Sequence, residues 1–480
     1  MQLIYNVKDK PPFGKTLIFA FQQMIAIMAA TLLVPMLMSS YETATGGTLV
    51  FDPAAALFGA GFGTIFYLLL TKGRSPVFLG SSFTFLGAYA TTIGSGYGYW
   101  GVIIGIAMAG LVYVIVALII KFVGSKWVNK LLPPVIIGPI VALIGLSLSS
   151  TATSWSMTNG GTNYNLLSIL CALVTFMVIV LVSVKGTKTL KLIPFIIGIG
   201  AGYVLALILT LIGMAANCDY MKILSFDSFQ SLAPFRFQSI LDYPKFTFLN
   251  AIQNPEASNI NWAAIASIAI TFVPIAVVEL AQHVADHKNL SSIIEKDLIT
   301  DPGLHRTLLG DGIGSMVGGF FGGAANTTYG ESIGCIAITG NASVVSIFVA
   351  AAGCMLLSFV SPFVALINSI PKCVMGGACI ALYGFIAVSG LQMLKKVDLG
   401  DNRNLFVVAA IFVCGIGGLT LDLVFGDTTI QITSLAVAMV IGILTNLITH
   451  SGKDKKTVGE LSANADAVSD VIEKETTEEK

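Results

Sequence analysis

Between residues 16 and 449 the chain is a near-unbroken series of apolar stretches, and that series decides most of what it can become. The stretches run 16–38, 51–71, 76–92, 100–123, 132–149, 164–184, 190–213, 262–284, 307–322, 325–339, 342–366, 373–393, 404–422 and 428–449, fourteen in all. Most reach the ~20 residues that a helix needs to cross the hydrocarbon of a bilayer. Lipid offers the backbone no partners, so only helices and closed barrels span it. Continuous apolar runs of this length predict an all-α polytopic membrane protein. Only 11% of residues are charged and mean hydropathy is +0.85, whereas soluble domains carry about a quarter charged residues. A formal net charge of zero excludes a strongly basic nucleic-acid binder. The cysteines show no metal-ligand spacing, and all but Cys218 lie in or beside apolar stretches, so they read as small packing residues. No cleavable leader is expected, because the first stretch follows a polar, basic start and continues as a span.

Lysine and arginine set the orientation. With the N-terminus in the cytoplasm and the spans alternating, all but Lys222, Arg236, Lys245 and Lys372 of the 26 basic residues face inward. That bias supports fourteen spans with both termini inside, and a plasma (inner) membrane location is expected. Segment 214–261 is then extracellular, and the charged tail 451–480 is cytoplasmic and solvated.

The second half echoes the first. Pro133-Pro134-Val135-Ile136-Ile137-Gly138 opens the fifth span, and Pro371-Lys372-Cys373-Val374-Met375-Gly376 opens the twelfth. The third and tenth spans are both short and rich in Gly, Ser and Thr. Seven spans per repeat is an odd number, so the second copy is inverted. Paired, interrupted segments in inverted halves point to a transporter's midplane site.

The polar content concentrates there. Ala324–Gly340 carries Asn326, Thr327, Thr328, Tyr329 and a full carboxylate, Glu331, between apolar runs 310–323 and 342–367. An ionisable group at membrane depth costs a few kcal/mol and marks a functional site by default. In span eight, Glu279, Gln282, His283 and Asp286 share one helical stripe, while His287 and Lys288 read as its end reaching cytoplasmic water. Main-chain N–H groups freed near Phe83 and Gly330 can donate to carbonyl oxygens, and Glu331 can accept from ring N–H groups. A small, flat, neutral heterocycle fits that set better than an anion does.

From about Pro11 to His450 the chain resembles the nucleobase–ascorbate transporter family, most closely its bacterial uracil permease branch. The residues that carry the resemblance are LGSSFTF at 79–85, DPGLHR at 301–306, GGFFGG at 318–323, NTTYGE at 326–331, IGCIAIT at 333–339 and VMGG at 374–377. It implies seven-plus-seven inverted repeats with short antiparallel β-strands in spans three and ten. It implies a core domain from 1–124 and 262–368, a gate domain from 125–215 and 369–450, and a connection at 216–261. It further implies a homodimer and proton-driven import of uracil without cofactor or metal. Carried over by position, Phe83 and Gly330 offer main-chain N–H groups to the base and Glu331 accepts a ring N–H. Ala30 and Tyr329 line the pocket, and Tyr383 faces it from the gate. Two positions depart from the family pattern: Gln282 stands where a glutamate is usual, and Gln22-Gln23 replaces a Gln-His pair. Gln282 can pair with a base but cannot carry a proton, which leaves Asp286, Glu279 or Glu331 for coupling. The alternatives are a purine permease, an uncoupled facilitator, or an anion exchanger of the same fold. An enzyme is not expected, since no nucleophile–base pair or phosphate loop stands out.

Overall fold

The computed structural model describes residues 3–44, 46, 51–124, 133–187, 190–230, 232, 239–253, 260–425 and 428–450. The charged tail, Arg236 and several basic loop residues (Lys126, Lys130, Lys188) lie outside that set. Among the described residues, eight helical stretches are long and apolar enough to cross a membrane.

The first half runs α1 (Phe13–Ala44), α2 (Pro53–Leu70), β1 (Leu79–Ser81), α3 (Leu86–Gly94), α4 (Gly98–Val123), α5 (Pro134–Ser147), α6 (Ser149–Thr158), α7 (Leu166–Lys185) and α8 (Pro194–Ala215). The second runs α9 (Trp262–Ile294), α10 (Leu304–Gly322), β2 (Asn326–Thr328), α11 (Gly330–Thr339), α12 (Val344–Leu357), α13 (Ser361–Asn368), α14 (Lys372–Met393), α15 (Asn402–Ile416), β3 (Leu421–Phe425), β4 (Thr428–Ile432) and α16 (Ser434–His450). Segment 214–261, read as extracellular and without assigned structure, contains short helices at Asp227–Gln230 and Thr247–Gln253.

The helices fall into two packing groups. One comprises α1–α4 with α9–α12, and its tightest seam is α2 on α10. The other comprises α5–α8 with α14–α16, seamed by α14 on α5. Outward-facing side chains such as Leu111, Ile115, Leu173, Leu181 and Leu211 are exposed, as a lipid-facing surface requires.

Small residues let the α2–α10 seam close. Gly59 and Gly63 meet Gly318 and Gly314: a Cβ on Gly63 would stand 2.5 Å from the Gly314 carbonyl oxygen, and one on Gly318 would stand 2.8 Å from that of Gly59. Paired glycines four apart are how membrane helices bring backbones together. Gly323, at φ +71, then ends α10 and turns the chain into β2.

The short stretches 76–92 and 325–339 are each a strand followed by a short helix. β1 and β2 pair antiparallel, with Leu79 opposite Thr328, Gly80 opposite Thr327 and Ser81 opposite Asn326. All six residues are buried, so the ladder satisfies backbone groups that lipid could not. Side chains lock it. The Tyr329 hydroxyl donates to the Ser81 carbonyl at 2.7 Å, the Ala325 N–H donates to Tyr89 Oη at 2.7 Å, and Asn326 Nδ2 donates to the Gly59 carbonyl at 3.1 Å.

Three sequence expectations need correction. The stretch 342–366 is two helices, α12 and α13, because Pro362 falls in the first turn of a new helix. The stretch 404–422 stops at Ile416, where Gly417 and Gly418 release the chain. The start of 428–449 is not helical either. β3 and β4 pair antiparallel with Leu421 opposite Ile432 and Leu423 opposite Ile430, as their polar–apolar alternation and β-branched content favour.

Candidate functional site

A cavity of about 560 Å³ lies where the two packing groups meet. Ala30, Phe83, Tyr329, Gly330 and Glu331 line one side, with Glu279, Gln282 and Asp286 from α9. Leu382, Phe385, Ile386 and Ser389 of α14 line the opposite side. Eight of the nine sequence-predicted site residues therefore meet around one space. The ninth, Tyr383, does not line it. Its ring packs edge-on against Phe83, with centroids 6.0 Å apart at 72°.

The β1–β2 ladder aims the backbone. Phe83 lies in the bend between β1 and α3, and Gly330 begins α11. Among the described residues, neither gives its N–H to a main-chain carbonyl, and a helix always leaves its first N–H groups without internal acceptors. Gly330 is exposed to the cavity, and a Cβ there would meet nothing within 4 Å. Gly330→Ala is therefore expected to fold and melt like the unmodified protein. Its methyl would occupy ligand space, so affinity should fall by about 1–3 kcal/mol as an overpacking cost. Titration calorimetry beside a melting curve checks both; unchanged affinity would place the ligand elsewhere.

The side chains divide by task. Glu331, half-buried in the first turn of α11, faces the cavity with the helix dipole behind it. Asp286 Oδ2 accepts from the Thr328 hydroxyl at 2.9 Å, which ties α9 to β2. Tyr329 is among the residues lining the cavity, while its hydroxyl is committed to Ser81. Glu279 is 2% exposed, and the hydroxyls of Thr327, Thr84 and Ser82 stand around its carboxylate without reaching hydrogen-bond geometry. Gln23 donates to the Ser332 carbonyl at 3.2 Å, so the Gln22-Gln23 departure supplies a tie between α1 and α11.

One reading fails and one group was overlooked. His287 is fully buried, not in cytoplasmic water; it contacts Tyr67 Oη at 2.7 Å. The cause is that α9 runs on for 33 residues against the α2–β1 connection. Lys288 is exposed as expected. Asp311 went unnoticed inside a run read as apolar. It sits 1% exposed with Oδ2 2.6 Å from His283 Nδ1. The depth argument applied to Glu331 applies equally to Asp311 and would have found it.

Comparison with known proteins agrees with this architecture. The Permease family model (Xan_ur_permease) matches residues 14–424. The uracil permease of Bacillus caldolyticus is 38% identical over 450 residues, covering 93% of this chain and 94% of that protein. The uracil permease of Bacillus subtilis (strain 168) is 34% identical over 462 residues, covering 94% and 96%. Among solved structures, the transmembrane domain of the cyanobacterial bicarbonate transporter BicA superposes with a TM-score of 0.57 at 15% identity, covering 93% of this chain and all of that one. The murine anion transporter Slc26a9 in its inward-facing state gives 0.59 at 13%, covering 92% and 69%. At such identities the likeness speaks to the fold alone. The chain is a multi-pass membrane transporter rather than an enzyme, and it belongs to the Permease family.

Proposed function

We propose that this protein imports a nucleobase, uracil first, together with protons, by alternating access. The carrying observation is the convergence of two free N–H positions, at Phe83 and Gly330, with the Glu331 carboxylate in one cavity. Uracil alternates C=O and N–H around a flat neutral ring, so it answers donors with acceptors and the acid with a ring N–H. Its relatives named uracil permeases match along nearly their whole length. An anion would meet three carboxylates, Glu279, Asp286 and Glu331, on the same wall.

In this reading the chain has fourteen spans as seven-plus-seven inverted repeats and works as a homodimer in the inner membrane, termini inside. The group α1–α4 with α9–α12 is the core that carries the base. The group α5–α8 with α14–α16 is the gate. The main cavity reaches Asn289 and Met393, next to Lys288 and Lys395, the cytoplasmic ends by the positive-inside rule. A second cavity of about 350 Å³ shares Phe83 and Thr84 with it and is lined by Tyr41, Thr91, Ser147 and Thr433. Phe83 against Tyr383 is then the partition between inward and outward spaces. Asp286 takes the proton that Gln282 cannot, with Glu279 next.

Labelled uracil uptake into cells lacking their own permease, with and without a protonophore and with xanthine as competitor, tests this. Accumulation that the protonophore abolishes and xanthine leaves alone supports it. Uptake that only equilibrates would mean an uncoupled facilitator, and uptake blocked by xanthine would mean a purine permease. Gln282→Glu adds a carboxylate that titrates near pH 4.3 when unperturbed. It must be protonated to cross neutral, so uptake should fall more steeply as pH rises. An unchanged pH profile would remove position 282 from the proton path.

A further inference from the structure

Helix α9 presents two polar stripes, and only one faces the cavity. Gln282, Asp286 and Asn289 line the open space. Glu279, His283 and His287, each one turn apart, run down the face buried inside the core group. Glu279 belongs to both, since it also lines the cavity.

The second stripe is built around two stacked imidazoles, His283 and His287, with centroids 4.0 Å apart at 27°. His283 Nδ1 is 2.6 Å from Asp311 Oδ2, and its Nε2 is 3.1 Å from Thr307 Oγ1. Thr307 Oγ1 is also 3.1 Å from the Leu304 carbonyl. That geometry serves two protonation states equally. With His283 neutral, Nδ1–H donates to Asp311 and the Thr307 hydroxyl donates to Nε2. With His283 charged, Nε2–H donates to Thr307 and the hydroxyl swings to the Leu304 carbonyl. In neither state is a ring nitrogen left without a partner, which avoids the penalty of a buried orphan.

His287 is tuned differently. Its Nδ1 is 2.9 Å from the His283 carbonyl and therefore carries the hydrogen, leaving Nε2 as an acceptor toward the linked hydroxyls of Tyr67, at 2.7 Å, and Ser75, at 3.3 Å. No acid touches it, and two imidazolium rings in a stack repel, so the stack holds one charge. The other titratable groups against the pair are Tyr113 of α4, edge-on to His283 at 6.3 Å, and Tyr67 of α2, while Glu279 and Asp286 of α9 stand beyond Tyr113. Among the described residues no lysine or arginine is buried. A neutral His283 beside ionised Asp311 thus leaves a net negative charge that no buried cation balances, and one added proton cancels it.

We propose that His283 and Asp311 form a reversible one-proton store inside the core domain, separate from the base-binding wall, with Thr307 as the hydroxyl that accommodates both states. The proton enters from water in the cavity past Glu279 and rests on His283 Nε2. This deepens, and rests on, the proton-coupled reading above.

The test uses purified protein in proteoliposomes, comparing uracil counterflow, which needs no proton movement, with accumulation under an imposed pH gradient. His283→Gln and Asp311→Asn should keep counterflow and lose gradient-driven accumulation by about tenfold or more. Thr307→Val should keep counterflow and shift the pH profile of accumulation. Accumulation by both His283→Gln and Asp311→Asn at the unmodified level overturns the store. So does parallel loss of counterflow and accumulation in variants that melt normally, because the pair would then be a structural tie. If Asp311→Asn fails to fold, an unchanged Thr307→Val profile overturns it alone. An unmodified protein that exchanges uracil without accumulating it would overturn the coupled reading instead. The infrared imidazole signal lost in His283→Gln then decides the store: it must change between about pH 5 and pH 8, and an invariant signal overturns the proposal.

Discussion

Glu331→Ala is expected to weaken uracil binding by one to two orders of magnitude while leaving the fold intact. Glu331 is the acidic residue of the first turn of α11, half-buried and facing the cavity. A hydrogen bond to a charged group is worth about 1.5–3 kcal/mol, so its loss weakens affinity by roughly 10- to 150-fold. The two donor positions at Phe83 and Gly330 remain, but a ring N–H of the base is left facing a methyl group. Stability should barely change, because an acid at a helix N-terminus contributes only about 0.3–1 kcal/mol. Glu331→Gln keeps one acceptor oxygen and should fall between the two. Calorimetric titration with uracil, beside a melting curve, makes the measurement. Unmodified affinity in a folded Glu331→Ala protein would end the assignment.

Gly318→Leu is expected to prevent folding altogether. A Cβ at this position collides with the Asn326 amide and stands 2.8 Å from the Gly59 carbonyl oxygen. Backbone cannot step aside as a side-chain tip can, so α10 must separate from α2. That separation breaks the Asn326 tie to Gly59 and the hydrogen bond from Ser315 to the Asn326 carbonyl. β2 is then no longer held at the depth where it pairs with β1. Overpacking costs about 1–3 kcal/mol in a core that can yield, and this seam cannot. Size-exclusion profiles of the tagged protein report it. A monodisperse peak with the usual melting temperature would show that the seam tolerates a side chain.

The residues that line the cavity were more legible in the amino-acid sequence than the outline of the helices was. Glu331, Gly330 and the polar run from Asn326 to Thr328 were legible because apolar surroundings make any polar residue conspicuous. Asp311 was as deep and as polar, yet a single acid among glycines disappears when hydropathy is averaged over a span. His287 was misread because a helix end was assumed to be wet, and the α2–β1 connection that covers it is remote in sequence. The β3–β4 pair reads as helix on hydropathy, because its apolar content alone satisfies a span. Its period of two was the signal to weigh. Tyr383 was expected to face the pocket from a position that matches, but α14 turns it one step aside onto Phe83.

The pairing of β1 with β2 also constrains how the protein is made. Leu79 has no strand partner until Thr328 has been synthesised. The first half can insert its helices as they leave the ribosome, but three residues of unpaired strand must wait in or near the bilayer meanwhile. The joint beside the cavity thus closes only after β2 has arrived, and neither half holds it alone. Two separately expressed halves should each enter the membrane inactive and regain the site only on meeting.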